Sequence, residues 1–460
     1  MAKSKSSANS TSVVVFHLDS HSCRETFLVT FLITVLLTTC FLPVVAANGG
    51  QAGFTEWELP REEWAHGPEG IVVDSQGVWF TCYFSANIGH LTPDSNTVEL
   101  WSVGSPGVST PSQLTSYSDS IYFTDSSEDK IGKLLPSMDK VSYAATPTTN
   151  SRPGGITLPE IIPVDHPTLI FSESGVKQIG TLTMGGLVFD LLSSATRSTT
   201  TITPTFNLVG AEVLDVLPTV TPGGPGTTPG VAAVSPTVSG PYNEWIAPVG
   251  GSPTRVIERS GIVWFGVLNA PQIGRLTFQD GPDRFDIYYL PATSPSSADI
   301  DVDTSGNIWY TTRSGNIIGK LDPSTLTISE WTIPTPASDP SSLDFDSSGR
   351  VWFTENDANK IGMLDPSANK FYEWQIPTEH SSPSGIYVDS DDNVWFTEFE
   401  KGKVACLNTA GEMVPEFPAN TLVLLLVAST VLLMSRNKTS LKEKPKLQKT
   451  RRLIKQQIRD

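Results

Sequence analysis

Acidic side chains recur at one position of a repeated sequence pattern. VWFTE runs end at Glu355 and at Glu398, and related runs end at Asp125 and Glu173. Over the whole chain the residues at this position are Cys82, Asp125, Glu173, Gly266, Thr312, Glu355 and Glu398. Carboxylates brought together from several repeats favour a divalent cation with oxygen ligands, Mg²⁺ or Ca²⁺. Glu355 and Glu398 are therefore predicted to be metal ligands.

These runs have the composition of the second strand of a hairpin. In an antiparallel hairpin the end of the second strand returns to the start of the first. Ser341 and Ser384 begin two of the first strands, so they are predicted to lie beside the carboxylates. The predicted ligand-binding set, at one mouth of a central channel, is Asp125, Glu173, Glu355, Glu398, Ser341 and Ser384. The alternative is that the carboxylates hold neighbouring repeats in register.

The strands come in units of four. Residues 340–377 contain SLDF, RVWFTE, KIGML and KFYEWQI, separated by the turn clusters DSSG, NDAN and DPSAN. The unit recurs around Trp309, Trp352 and Trp395, which are spaced 43 residues apart. This period is typical of β-propeller blades. We count seven units and predict an all-β, seven-bladed β-propeller with four-stranded blades over residues 48–416.

Several details bear on how the ring closes. FTEWELP at 54–60 matches the fourth-strand endings EWTIP and EWQIP but precedes the first unit. It is predicted to be the outer strand of the last blade, which closes the ring.

The aromatic pairs, such as Trp352-Phe353, are predicted to pack blade against blade. Cys82 and Cys406 lie in the first and last units, which are neighbours if the ring closes. The sequence leaves open whether they form a disulfide across the closure.

One segment interrupts the period. Ile170 and Trp264 are 94 positions apart, and residues 191–241 between them are rich in Ser, Thr, Pro and Gly. Such composition cannot bury much apolar surface. We predict a low-complexity, extended insertion, and a degenerate eighth blade is the alternative.

A second acidic pattern resembles a calcium-binding loop. DVDTSGN (301–307) has the Asp-x-Asp spacing of such a loop, as do DFDSSGR (344–350) and, less closely, DSDDN (389–393). These stretches lack the glutamate at the twelfth position of a full calcium loop. They also stand where a hairpin must reverse, so they are predicted to be turns.

The two ends indicate export and membrane anchoring. Residues 1–47 have a polar lead, the apolar run 27–45 and small residues after it, which predicts a signal peptide or an uncleaved signal anchor. Residues 417–434 are uncharged and apolar, long enough for a transmembrane helix. The basic tail 435–460 is predicted to be cytoplasmic and the propeller extracellular. The membrane is thus a predicted partner.

Charge narrows the classes of partner. The formal net charge is -17, and ten of the basic residues lie in the tail, so the propeller itself is more acidic still. An acidic body disfavours nucleic acid and suits cations or metal ions.

The repeated WFTE…NKIGxLDP…EWxIP unit resembles the streptogramin B lyase family (virginiamycin B lyase and relatives) over about residues 54–418. The resemblance implies a seven-bladed propeller that opens a cyclic depsipeptide by elimination at an ester, using Mg²⁺, a histidine base and carboxylates. By this resemblance Glu355 and Glu398, which end WFTE runs, are the predicted catalytic carboxylates. The VPEFP-apolar-basic ending separately resembles membrane anchors of archaeal surface proteins.

The chain differs from the family at the position of the histidine that acts as the catalytic base. Family blades that carry the chemistry have histidine after a loop proline, whereas this chain has Glu69, Ser112, Gly154, Thr254, Ala298, Ser341 and Ser384. His66 and His380 stand three and four residues before two of these positions. Loss of a positioned base typically costs about 10²–10⁴ in rate. We predict binding of an extracellular ligand or surface molecule; the alternative is a Mg²⁺-dependent lyase or hydrolase with His380 or His66 as base.

Overall fold

The structure is a computed structural model, and it describes residues 51–60, 67–160, 168–184, 189, 192–221, 230–279 and 282–409. The predicted signal segment 1–47, transmembrane helix 417–434 and basic tail 435–460 lie outside these residues. Within the described ranges, no helix is long and apolar enough to cross a membrane.

The strands of the first half follow in chain order. β1 (Gln51–Glu58) precedes blade 1, which contains β2 (Pro68–Asp74), β3 (Gly77–Cys82), β4 (Asn87–Thr92) and β5 (Thr97–Ser102). Blade 2 contains β6 (Pro111–Tyr117), β7 (Ser120–Asp125), β8 (Lys130–Leu135) and β9 (Lys140–Ala145). Blade 3 begins with β10 (Pro153–Thr157), β11 (Thr168–Glu173) and β12 (Gln178–Thr183).

Short strands then intervene before blade 3 is completed. They are β13 (Ser193–Ser194), β14 (Thr196–Thr201), β15 (Thr205–Gly210), β16 (Glu212–Asp215), β17 (Thr219–Thr221), β18 (Gly230–Val234) and β19 (Thr237–Ser239). β20 (Tyr242–Ile246) follows them and pairs with β12 as the fourth strand of blade 3.

The second half contains four blades. Blade 4 contains β21 (Ser252–Arg259), β22 (Ile262–Leu268), β23 (Gln272–Thr277) and β24 (Asp283–Tyr289). Blade 5 contains β25 (Ile300–Val302), β26 (Ile308–Thr312), β27 (Ile317–Asp322) and β28 (Thr327–Thr332). Blade 6 contains β29 (Pro340–Phe345), β30 (Val351–Glu355), β31 (Lys360–Asp365) and β32 (Lys370–Gln375), and blade 7 contains β33 (Pro383–Val388), β34 (Val394–Glu398) and β35 (Lys403–Asn408). Short 3-10 turns lie at Pro93–Ser95, Pro136–Met138 and Phe399–Lys401.

The blades form a closed seven-bladed β-propeller, as predicted. In blade 7 the fourth strand is β1, which pairs antiparallel with β35 so that Thr55 lies opposite Cys406. The first described strand therefore closes the ring, and the prediction for residues 54–60 is confirmed. Cys82 and Cys406 are both buried and form no disulfide with each other.

The repeated aromatic residues form the core between blades. Trp352 and Phe353 are buried, and Trp352 stacks on Trp374 with ring centroids 5.2 Å apart. Phe353 lies over Gly362 of the neighbouring strand, where an added Cβ would be 2.2 Å from the ring. The glycine of the KIG run therefore makes room for the aromatic of the WFT run, which explains why the two recur together. The aromatic pairs are core residues, as predicted.

The threonine of the WFT run joins each blade to the next. Thr354 Oγ1 accepts from the backbone N–H of Ser342 in its own blade (3.0 Å) and donates to the carbonyl of Ser384 in blade 7 (2.9 Å). The same bridge closes the ring, since Thr397 Oγ1 donates to the Glu69 carbonyl of blade 1 (3.0 Å). The remaining residues that bridge in this way are Thr81, Thr124, Ser172 and Thr311. These hydroxyls fix the first strands, which surround the central axis.

The segment predicted as an insertion forms a belt around the propeller. We use "the belt" for strands β13 to β19, residues 193–239. Each belt strand pairs antiparallel with the outer strand of one blade, in the ring order 2, 1, 7, 6, 5, 4 and 3. The chain thus leaves blade 3 after its third strand, passes the other six blades and returns to blade 3.

The belt changes two predictions. It gives every sheet a fifth strand where four were predicted, and it shows that the interruption in the repeat is not an eighth blade. Most belt side chains are exposed, and residues such as Phe206 and Leu208 point to solvent. The inner face of the belt is narrow: Ala195 and Ala211 are buried, and Val209 packs partly buried against the blade core. Exposed apolar residues on the opposite face hide this alternation in the sequence. The belt strands form because the open outer edges of the blades supply hydrogen-bond partners.

We expect the propeller to fold without the belt but with lower stability. Thr183 N–H donates to the Pro241 carbonyl (3.1 Å), so a short Asn-Gly turn can join β12 to β20 in place of residues 185–240. Each backbone hydrogen bond of the belt contributes about 1 kcal/mol net to stability. Part of the loss of these bonds is offset because the removed segment no longer has to be ordered, so the free energy of unfolding should fall by roughly a few kcal/mol. Thermal unfolding by circular dichroism measures this. An unchanged midpoint would mean that the belt is not a stabilising element.

Candidate functional site

A cavity of about 550 Å³ lies where the first strands of all seven blades begin. Every blade contributes the residue that follows the loop proline or its equivalent. These residues are Glu69, Ser112, Gly154, Thr254, Ala298, Ser341 and Ser384. The cavity is thus lined by hydroxyls and exposed backbone at the positions where the resembled family has its histidine. Its size is within the usual range for small-molecule sites.

Arg255 is one of two arginines that line this cavity, the other being Arg313. The Arg255 guanidinium Nη1 donates to Gln113 Oε1 of blade 2 (3.3 Å), and its Nε lies 3.8 Å from Asp299 Oδ1 of blade 5. Burial alone would lower the pKa of Arg255, but Asp299, Asp301 and Asp344 together raise it. Arg255 therefore stays charged and spans the cavity between blades.

The carboxylates near Arg255 differ in their environment. Asp299 accepts from Ser342 Oγ (2.6 Å) and from Leu343 N–H (3.1 Å), which ties blade 5 to blade 6. Burial raises the pKa of both Asp301 and Asp344, and Arg255 opposes this increase. The channel interior therefore combines the Arg255 cation with carboxyl groups that bind protons more readily than usual.

Glu69 lies on the blade 1 side of the cavity. Burial raises its pKa to about 7, and a hydrogen bond from Ser112 partly opposes the increase. Its Oε2 is buried and has no hydrogen-bond partner in the described structure. Near neutral pH this carboxyl group can therefore donate or accept a hydrogen bond at the cavity wall.

The predicted ligand-binding residues divide into two groups. Ser341 and Ser384 line the cavity, as expected for the first strands. Glu173, Glu355 and Glu398 are fully buried, Asp125 is buried as well, and none of the four is among the residues that line the cavity. These carboxylates therefore do not surround the channel mouth as predicted, because each points into its own blade. Their catalytic, ligand-binding and metal roles stay predictions.

Inside the blades, each of the three buried glutamates of this set faces a second glutamate. Burial, followed by Glu373, raises the pKa of Glu355 to about 8, and burial with Glu56 raises that of Glu398 to about 9. Blade 3 repeats the arrangement, and burial with Glu244 raises the pKa of Glu173 to about 8. At neutral pH these buried carboxyls are mainly protonated.

A lysine neutralises the second glutamate in two of these blades. Lys360 Nζ lies 2.9 Å from Glu373 Oε2 and also contacts Glu212 of the belt at 3.1 Å. Lys403 lies 3.7 Å from Glu56 in blade 7. In both blades the outer glutamate is therefore the member of the pair that contacts a lysine. This outer glutamate belongs to the EW motif of the fourth strand. The repeated EW motif is therefore the feature of the sequence that marks the partner of each buried glutamate.

The cavity also contains residues that the sequence patterns did not single out. Arg255 and Asp299 occupy the second position after the loop proline, where other blades have residues such as Gly70 or Ser342. Their types do not repeat, so periodicity could not identify them. The register of blade 4 also needs correction. Phe265 lies opposite Val256 and Val267 opposite Pro253, so the equivalent of Glu355 is Val267 rather than Gly266.

The histidines do not supply a base in the described cavity. His380 is exposed, has a left-handed backbone conformation (φ 53°) and does not line the cavity. His90 is buried against Trp79, with ring centroids 4.1 Å apart. His66 and His166 lie outside the described residues.

No set of three or more His, Cys, Asp or Glu side chains converges on a metal-binding geometry within the described ranges. Glu355 and Glu398 lie in different blades, each with its own lysine and glutamate. The stretch at 301–307, which resembles a calcium loop, forms a turn. Its Asp303 Oδ1 accepts the backbone N–H groups of Ser305 and Asn307 at 2.9 Å, as a turn requires.

The buried glutamates should make the stability of the propeller depend on pH. Glu355 and Glu398 are raised to pKa values of about 8 and 9, whereas an unfolded glutamate titrates near about 4.3. The folded state therefore holds the additional protons, and stability should fall as the pH rises from about 4 to about 9. Glu355→Gln/Glu398→Gln should reduce this slope and raise the melting temperature at pH 8.

Thermal unfolding at a series of pH values measures this effect. Glu400→Gln is the matched control, because Glu400 is exposed in blade 7 and its removal should leave the slope unchanged. A double variant whose curve runs parallel to the wild type would show that neither glutamate is protonated in the folded state.

Comparisons with known proteins agree with this fold. Residues 237–423 match the model of the virginiamycin B lyase family. A search of curated proteins found no significant match. A streptogramin B lyase structure is 24% identical, with 78% of this chain and 98% of that chain covered and a TM-score of 0.57.

Further solved structures give the same result. Virginiamycin B lyase from Staphylococcus aureus is 24% identical, covering 77% of this chain and 99% of that chain, with a TM-score of 0.57. A catalytically inactive variant of that enzyme with quinupristin is 23% identical, with the same coverage and TM-score. The family model spans blade 4 to blade 7 and the end of blade 3, and the structural matches cover 77% to 78% of this chain. The chain is a virginiamycin B lyase-like seven-bladed β-propeller.

Proposed function

We propose that this propeller binds a small polar ligand in its central cavity and does not rely on a histidine base. The observation that supports this is the convergence of all seven blades on one cavity with polar positions and no described histidine. Arg255, Gln113 and Glu69 supply donors and acceptors from three different blades. A ligand with amide or hydroxyl groups would match this set better than an apolar one.

The same proposal places the propeller at the cell surface. Its support is the sequence of the two ends: the apolar segment 27–45, the apolar segment 417–434 and the basic tail 435–460. The ending also resembles the anchors of archaeal surface proteins. In this arrangement the cavity faces the outside, where its partner is an extracellular small molecule or a group on a neighbouring surface molecule.

Blocking the cavity should abolish binding. A panel of amide- and hydroxyl-bearing small molecules, including cyclic depsipeptides, is screened against the full chain in detergent by calorimetry. Ser341→Phe and Ser384→Phe place a ring in the cavity, while the backbone carbonyls that accept from Thr311 and Thr354 remain. We expect at least a tenfold loss of affinity in both variants and none in Glu400→Gln. Binding that is unchanged in both blocked variants would place the ligand elsewhere.

A cation requirement remains part of the proposal to be tested. The predicted ligands Glu355 and Glu398 are buried in separate blades, so no catalytic step is assigned to Mg²⁺ or Ca²⁺. The titrations are repeated with Mg²⁺, Ca²⁺ or a chelator, using wild type and Glu355→Gln/Glu398→Gln. A cation effect that vanishes in the double variant would support the predicted site, and its absence would assign these carboxyls to blade packing.

The second candidate is a lyase or hydrolase that opens a cyclic ester, supported by the match to the virginiamycin B lyase family over residues 237–423. It requires His380, or His66, to act as the base. We expect no ring-opened product by mass spectrometry when a cyclic depsipeptide is incubated with the chain and Mg²⁺. Product that disappears in His380→Ala or His66→Ala would establish the enzyme instead.

A further inference from the structure

A second cavity lies between blades 1 and 2, at the opposite ends of the strands from the central cavity. It has a volume of about 270 Å³ and is lined by the β2–β3 hairpin, the β6–β7 hairpin and the β8–β9 loop. The residues that the argument uses are Asp74, Gln76, Trp79, Asp119, Ser120 and Ser137. None of these lines the central cavity. We call this cavity the hairpin cleft.

The hairpin cleft contains a buried donor without a partner. Trp79 is 2% exposed, and its Nε1 has no hydrogen-bond partner in the described structure. The corresponding indoles of blades 5, 6 and 7 all donate to the aspartate of their own hairpin. The bonds are Trp309 to Asp303 (2.9 Å), Trp352 to Asp346 (2.8 Å) and Trp395 to Asp389 (2.8 Å).

A shorter hairpin accounts for the difference. In blade 1 the tryptophan, Trp79, is five positions after Asp74, whereas in blade 6 Trp352 is six positions after Asp346. The residue that blade 1 lacks corresponds to Arg350 of blade 6, whose backbone N–H donates to Asp346 Oδ1. Asp74 Oδ1 instead accepts the backbone N–H of Gln76 (2.9 Å). The deletion therefore separates the carboxylate from the indole at the place where the cleft lies.

The groups that remain restrict the chemistry of an occupant. The indole N–H needs an acceptor, which a metal cation or an ammonium group cannot provide. Asp74 and Asp119 repel an anion and can accept hydrogen bonds from a donor on the occupant. A hydroxyl group accepts and donates at once, and Gln76, Ser120 and Ser137 offer further hydrogen bonds of both kinds.

We propose that the hairpin cleft is a second binding site, for a single sugar residue. The volume of about 270 Å³ is just below the usual range for drug-sized ligand sites, which suits one hydroxyl-bearing ring and excludes an oligomer within the cleft. In this arrangement the indole N–H donates to one sugar hydroxyl, and neighbouring hydroxyls donate to Asp74 and Asp119. His90 Nε2 lies 3.1 Å from the Gln76 carbonyl and positions that residue at the cleft wall.

The test is saturation-transfer NMR and calorimetry on the full chain in a detergent without a sugar headgroup. The probes are glucose, galactose, mannose and N-acetylglucosamine. Trp79→Phe removes the N–H but keeps a ring, and we expect about a tenfold loss of affinity for the sugar that binds. Asp119→Asn should weaken binding to a similar extent, and because Asp119 is exposed this variant does not threaten folding.

Matched variants distinguish sugar binding in the hairpin cleft from binding elsewhere on the chain. Trp352→Phe removes an indole that is already bonded, so it should lower stability without changing sugar binding. Ser341→Phe blocks the central cavity and should also leave sugar binding unchanged, so the two proposed sites can fail independently. The proposal is overturned if no sugar in the panel binds, if Trp79→Phe and Asp119→Asn bind as the wild type does, or if the cleft holds only Ca²⁺ or water.

Discussion

The central cavity depends on the hydroxyl bridges between successive blades. Each bridging hydroxyl accepts an N–H of its own blade and donates to a carbonyl of the next, so it satisfies two buried backbone groups at once. Because the bonds end on the first strands, they set the spacing of the residues that line the cavity. Blade 4 has Gly266 in place of the hydroxyl. There Ser297 of blade 5 makes the connection by accepting from Val267 N–H (2.7 Å) and donating to the Gln272 carbonyl (3.1 Å).

Two closures then hold the ring together. β1 completes blade 7, and the belt passes every blade and returns to the blade from which it came. These closures act at different radii, since β1 is the fourth strand of a blade whereas the belt lies outside the fourth strands. The belt also covers sheet edges that would otherwise present unpaired backbone groups to other chains. A Ser/Thr-rich segment is suited to this position because its outer side chains face water, whereas a few small inner residues such as Ala195 and Ala211 are buried against the blades.

The acidic residues of the chain serve at least two purposes. Glu355, Glu398 and Glu173 are enclosed within blades beside a second carboxyl group, and they remain neutral because an ionised pair there would be costly. Asp303, Asp346 and Asp389 instead order the hairpins and hold the Trp indoles. The acidic groups near the cavity are a third set, with Asp299 and Glu69 among them. Net charge alone does not distinguish these uses.

Repetition in the sequence was sufficient to predict the seven blades, the core aromatics and the closing strand, because each blade must meet the same packing requirement. The structure alone revealed the belt, since its strands pair with the open edges of the blades and its sequence lacks the VWFT-type run that marks the other strands. It also moved the predicted carboxylates from the channel mouth into the blades. Strand alternation and hairpin pairing identify which residues are adjacent in a hairpin. Whether a side chain at the end of a strand points toward the axis or into the blade depends on the twist and tilt of the assembled sheets, and that is decided only when the ring closes.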